Sequence, residues 1–128
     1  MGSRSRIGIL RANGTIRSIY CNFDGSPDVQ LPILKEHYGN KLKVQALLAL
    51  GNICSLGEEL GPIPKNTQEP FEKYTVAYYR DFQEPRDECA PMEYASIKEM
   101  LNRTMFNAIE YYYLFDETKG EWTQISQP

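Results

Sequence analysis

The sequence predicts an α+β domain: an antiparallel sheet of about five strands with helices packed on one face, in the order ββ-αα-β-α-ββ. Three observations lead there. Strand-like runs gather at both ends of the chain, helical apolar spacing fills the region between them, and 128 residues is an ordinary length for one domain. The whole span 1–128 is therefore read as a single ligand-binding unit. Its 41% hydrophobic content, with nine Tyr, five Phe and one Trp, supplies one modest core. A domain of this size keeps a thin stability margin, so a binding pocket shared between subunits of a homo-oligomer is one expectation.

Ile7-Gly8-Ile9-Leu10 and Thr15-Ile16-Arg17-Ser18-Ile19-Tyr20 flank Asn13-Gly14, a pair that tolerates the positive φ values of a tight type I′ hairpin. In the second strand Ile16, Ser18 and Tyr20 share one face, and Arg17, Ile19 and Cys21 the other. Ser26 is placed to cap a helix whose first position is Pro27. Pro32 interrupts the segment to Tyr38, leaving two short helical pieces or one kinked helix, and Gly39 stops it. Asn40 caps a clearer helix through Leu50, with Gly51 as terminator.

From Gly57 to Pro70 the sequence reads as a long surface loop. Tyr74-Thr75-Val76-Ala77-Tyr78-Tyr79 reads as a strand by its β-branched and aromatic content. A polar stretch from Arg80 to Pro91 follows. Ser96 with Glu99 forms a capping box, opening a helix with Ile97, Met100, Leu101 and Met105 on one side. Ile109 to Phe115 and Glu121 to Ile125 close the chain as a hairpin around Asp116 to Gly120.

The net charge of −3 argues against a protein that coats duplex nucleic acid. Arg4, Arg6, Arg11 and Arg17 nevertheless fall in the first 17 residues with no acidic residue among them. That run is either a solvated strand face or a small anion site. Three cysteines, Cys21, Cys54 and Cys89, form no CxxC pair and predict reduced thiols in a cytosolic protein. No apolar run resembles a signal peptide or a membrane span, so neither export nor a membrane partner is expected.

Catalytic motifs are not recognisable. His37 is the single histidine, and no neighbouring nucleophile and orienting carboxylate accompany it. The scattered Cys and His give no metal-ligand spacing, and no glycine-rich phosphate loop follows a strand. Asp24 with Asp28, or Glu58 with Glu59, read as local caps rather than as acid–base pairs. Hence no enzyme, cofactor or metal is expected. What stands out is Tyr78-Tyr79-Arg80-Asp81-Phe82, leading to Arg86. Aromatic rings offer flat faces to a base, and Arg offers planar charged donors to a phosphate. Arg103, with Asn102 and Asn107 nearby, adds a second candidate anion contact. The bland alternative is sheet packing for the tyrosines and solvent for the arginines.

Nearly the whole chain resembles a group of small phage and prophage proteins. Their pattern has Arg-Ser before a strand, an Asp/Asn-Gly hairpin, Ser-Ile-Tyr-Cys-His-Trp-Asp-Gly-Tyr-Pro, Glu-His-Tyr, and Leu-Gly-Asp-x-Ser-x-Leu-Gly. Here these stand as Arg4-Ser5, Asn13-Gly14, Ser18-Ile19-Tyr20-Cys21-Asn22-Phe23-Asp24-Gly25-Ser26-Pro27, Glu36-His37-Tyr38 and Leu50-Gly51-Asn52-Ile53-Cys54-Ser55-Leu56-Gly57. A Tyr-x-Arg-Asp strand end matches Tyr78 to Asp81, and the closing pattern matches Glu110 to Phe115 with Trp122. The His-Trp pair is replaced by Asn22-Phe23, so only an aromatic remains there, at Phe23.

This group resembles the first-described Thoeris anti-defence proteins. The resemblance implies an oligomeric sponge in the host cytoplasm that sequesters a cyclic ADP-ribose isomer, and in some members cyclic oligonucleotides, without cleaving it. Taken with the aromatic and arginine chemistry above, the expected ligand contacts are Arg4, Phe23, Tyr79, Arg80, Asp81, Phe82, Arg86, Asn102 and Arg103. Phe82 and Tyr79 would stack a base, Arg80, Arg86 and Arg103 would face the pyrophosphate, and Arg4 would reach in from the N-terminus. Silencing a signal by binding demands nanomolar affinity, about −12 kcal/mol. The competing class is a phage inhibitor that binds a host protein directly, with Tyr111-Tyr112-Tyr113 supplying the apolar patch.

Overall fold

The computed structural model describes residues 3–126. The architecture is α+β, and its sheet is mixed rather than antiparallel. β1 (Ser5–Leu10) lies at its centre, antiparallel to β2 (Ile16–Cys21) and parallel to β6 (Tyr111–Asp116). β7 (Glu121–Ile125) extends the β6 side. On the other side β2 pairs in parallel with β3 (Ile53–Ser55), which pairs with β4 (Val76–Ala77). β5 (Met92–Tyr94) joins β2 at its start, with Ile16 opposite Tyr94. Seven strands therefore stand where about five were expected.

Both parallel contacts follow from helical crossovers. The chain leaves β2 through α1 (Pro27–His37) and α2 (Lys41–Ala49) before returning as β3. It reaches β6 only after α3 (Tyr78–Phe82), α4 (Arg86–Cys89) and α5 (Ile97–Thr104). A parallel pair needs such a crossover, whereas an antiparallel pair can close with a short turn.

The helices cover both faces, not one. Strand side chains alternate in direction, so each strand feeds two cores. Ile7, Ile9, Ile19, Tyr113 and Phe115 pack with Leu34, Val44, Leu47 and Leu48 under α1 and α2. Ile16, Tyr112 and Leu114 pack with Tyr94 and Met100 under α5. Buried aromatic polar groups tie loops to this frame: the Tyr38 hydroxyl donates to the Gly57 carbonyl at 2.7 Å, and the Trp122 indole N–H to the Tyr38 carbonyl at 2.8 Å. The three cysteines are free thiols, and burial pushes Cys21 up to about 11, which keeps it protonated.

Several local expectations change form. The first hairpin is not a type I′ turn: Gly14 is left-handed at φ 90°, but Asn13 is not among the described residues with positive φ. Instead the Gly14 N–H closes on the Arg11 carbonyl, and the Asn13 carboxamide accepts from the Thr15 N–H at 3.0 Å. Ser26 sits at the start of α1 without a side-chain cap, and Pro32 is accommodated in one helix of 11 residues. Asn40 does cap α2, accepting from the Lys43 N–H at 2.9 Å, and Ser96 caps α5 through Glu99 at 3.0 Å.

The largest departure is Tyr74 to Tyr79. Only Val76–Ala77 pairs as strand, and the chain coils into α3 at Tyr78. The Asp81 carboxylate accepts the Ala77 N–H at 2.8 Å, and left-handed Gln83 ends the helix by donating to the Tyr78 carbonyl. Side-chain capping thus overrides the β propensity of the tyrosines.

Candidate anion-binding groove

The groove begins at the end of α2. Gly51 terminates that helix at φ 76°, and a Cβ there would stand 2.3 Å from the Cys89 carbonyl oxygen. The bare backbone lets the Asn52 N–H donate to that carbonyl at 2.7 Å. This bond draws the segment carrying α4 and Pro91 against the α2 terminus. Between them lies a cavity of about 260 Å³, lined by Arg17, Ala49, Gly51, Tyr79 and Arg86 among others.

A second cavity of about 440 Å³ adjoins it, between the β1–β2 hairpin and α2, with Arg11, Arg17, Lys41, Gln45 and Glu117 on its walls. Arg17 and Ala49 line both cavities. The charged lining is Arg11, Arg17, Lys41 and Arg86 against one carboxylate, Glu117. In a chain of net charge −3, this is a local reversal of sign that attracts anions.

The four cations are held differently. Arg86 stacks over the Tyr79 ring, its guanidinium carbon 5.3 Å from the ring centre, and has no carboxylate partner among the described residues. Tyr79 is 43% exposed, so a face or edge of its ring meets solvent. Arg11 makes a two-pronged contact with Glu93, at 2.8 and 3.3 Å, and Arg17 lies 3.8 Å from the same carboxylate. Lys41 pairs with Glu117, which also accepts the Ala12 N–H at 2.9 Å. The Arg11 hydrogen bonds hold Glu93 below its ordinary value, and the Lys41 contact, followed by the Ala12 N–H, does the same for Glu117. Arg11 is raised in turn by Glu93.

Of the residues singled out from sequence, Tyr79 and Arg86 meet in this groove, joined by Arg11 and Arg17 from the early basic run. The others go elsewhere. Arg80 donates to the Leu60 and Thr75 carbonyls, both at 2.7 Å, and to the Asp81 carboxylate at 3.0 Å. It is a clamp between the 57–70 loop and the sheet edge. Phe82 is exposed and packs against Tyr78, with ring centres 5.9 Å apart. Phe23 is exposed after β2, its N–H donating to the Cys54 carbonyl.

Arg103 lies across the sheet with α5, over the Tyr94 ring at 5.1 Å and 3.7 Å from Glu99, and Asn102 beside it is exposed. Arg4 is exposed, and its carbonyl accepts from the Glu110 and Tyr111 N–H groups. Arg6 is buried, bonded to Ser18 and set over Tyr94. The stacked pair Phe82–Tyr79 facing Arg80, Arg86 and Arg103 is therefore not a single constellation in this fold.

Lys41, Gln45, Glu93 and Glu117 carry no sequence signal for this role, because the groove is assembled from a helix start, a short strand and a turn that only the tertiary fold brings together. The Tyr111-Tyr112-Tyr113 run offers no apolar patch either: Tyr112 and Tyr113 are fully buried. Among the described residues no cluster of His, Cys, Asp and Glu is arranged to hold a metal ion. No helix among them is long and apolar enough to cross a membrane. Comparison with family models, curated proteins and solved structures gave no significant match to this chain.

Proposed function

We propose that this protein binds and sequesters a cyclic nucleotide of the cyclic ADP-ribose type in the groove at the end of α2, without chemically altering it. The observation that carries the reading is the Arg86–Tyr79 pair opening onto a cavity that shares Arg17 with a larger basic one. A base laid against an aromatic face gains roughly 1–3 kcal/mol. Arg guanidinium groups meet phosphate oxygens in a planar, charge-assisted geometry. Cavities of roughly 300–1,000 Å³ suit small ligands, and the 440 Å³ compartment lies in that range, with the 260 Å³ one adjoining it through Arg17.

The resemblance to Thoeris anti-defence proteins supplies the biological setting: a homo-oligomer in the host cytoplasm that silences an immune signal. The test incubates purified protein with extract from cells whose Thoeris sensor is active, removes unbound material and heat-denatures the remainder. Release of an intact cyclic ADP-ribose isomer is the expected result. An altered product would mean an enzyme, and an empty eluate would sink the sponge reading.

The empty eluate would favour the second reading, direct inhibition of a host protein. That reading draws support from Met105 and Phe106, which follow α5 and are 60% and 88% exposed. An exposed aromatic beside a flexible thioether is a common kind of interface anchor.

A further inference from the structure

We infer that Arg11, Lys41 and Gln45 form a second anion subsite that selects ligands carrying a further negative group, with Glu93 and Glu117 as built-in counter-anions that such a group displaces. The inference rests on the proposed nucleotide-binding role of the adjoining Tyr79–Arg86 compartment and specifies which ligands that groove prefers.

The geometry points there in three steps. The cavity between the first hairpin and α2, about 440 Å³, is larger than the one holding the ring contact, and its floor is apolar only at Ile9, Leu48 and Ala49. Its polar wall carries donors from two guanidinium groups, an ammonium and a carboxamide, with the Glu117 carboxylate as the one anion beside them. Each cation except Arg17 is closely engaged by a carboxylate of the chain itself, Arg11 by Glu93 and Lys41 by Glu117. Arg17, 3.8 Å from Glu93 and lining both compartments, is the loosest of the three.

A ligand with one anionic group can be satisfied by Arg86 and Arg17 and leaves these pairs intact. A second anionic group enters a space whose donors are already paired, and it must outcompete two carboxylates on the rim. It gains where it brings several phosphate oxygens to Arg11 and Lys41 at once, as the second phosphate of a pyrophosphate does and an isolated carboxylate does not. The carboxylates therefore act against weakly charged compounds as repulsive elements, a route to specificity through the rejected ligand. Glu93, 55% exposed at its side chain, swings into water when displaced, whereas Glu117 is 23% exposed and stays tethered by the Ala12 N–H.

Titration calorimetry with AMP, ADP and inorganic pyrophosphate on the intact protein tests this. ADP is expected to bind at least about tenfold more tightly than AMP, the scale of one charge-assisted contact. Lys41→Met should erase that preference by weakening ADP binding, and Arg11→Gln serves the same purpose should the first variant fail to fold. Glu117→Gln should tighten ADP binding several-fold with little change for AMP. Equal affinities for AMP and ADP, insensitive to these variants, would overturn the subsite and leave the nucleotide groove standing. Pyrophosphate binding that depends on Lys41, with no affinity for AMP, would keep the subsite and overturn the ring contact. Failure of all three probes would remove both.

Discussion

Two arginines of one polar stretch have opposite fates. Arg80, within α3, spends its donors on two backbone carbonyls and on its neighbour Asp81, tying the 57–70 loop to the sheet edge. Arg86, opening α4, lies over the ring of Tyr79 with no carboxylate partner among the described residues, and lines a cavity. The two stand six positions apart in one polar stretch, and each is followed directly by an aspartate, Asp81 and Asp87. What separates them is which backbone groups lie within reach once the chain has folded. An arginine whose donors are consumed by carbonyls is part of the frame, and one resting on an aromatic face remains available to an anion.

That contrast can be broken or sharpened by substitution. The largest effect is expected from Gly51→Ala, which puts a Cβ against the Cys89 carbonyl at a left-handed position. The strain and overpacking together should cost about 3 kcal/mol, read as a loss of denaturation midpoint, with nucleotide affinity falling as the groove wall moves. Arg80→Met should cost about 2 kcal/mol of stability by stranding the Leu60 and Thr75 carbonyls. An unchanged midpoint would remove Arg80 from the frame.

Arg86→Met should do the reverse. Stability should stay within about 0.5 kcal/mol of the parent, as for a surface substitution. Affinity for ADP should fall by roughly tenfold, the equivalent of one desolvated guanidinium contact. A matching loss of stability would place Arg86 with Arg80 as a structural residue.

The smallest effect concerns acid. Glu93 is held below its usual value of 4.5 by Arg11, so the folded state binds the proton less readily than the unfolded chain. Its contribution is complete above about pH 4.5 and is lost as pH falls through the depressed folded value. For so exposed a pair the change is about 0.5 kcal/mol. Glu93→Gln should flatten this part of the pH–stability curve between pH 6 and 3, and an unaltered curve would show that the Arg11 contact contributes nothing in solution.

Much of the frame was legible because its signals are local. Asn40 and Ser96 each cap the helix expected of them, and the closing hairpin turns at Asp116 to Gly120. β3 and β5 were not legible, since each is three residues long and becomes a strand only by pairing with β2. The parallel register of β1 with β6 was hidden for the same reason: nothing in either segment encodes the direction of a partner so far along the chain. The groove was half legible. Tyr79, Arg86 and the early arginines announce themselves by chemistry, whereas Lys41 and Glu117 join them from a helix start and a turn whose meeting only the folded sheet decides.

The pairing of β1 with β6 also governs how this protein can be made. β1 occupies the middle of the sheet, and one of its two edges is completed only by residues Tyr111 to Asp116, far later in the chain. Until those are synthesised, the β1 edge exposes unpaired N–H and C=O groups of the kind that recruit foreign strands. Nascent chains halted before Tyr111 should consequently be held by chaperones or aggregate, and protease resistance should appear only once Tyr111 to Asp116 have been made.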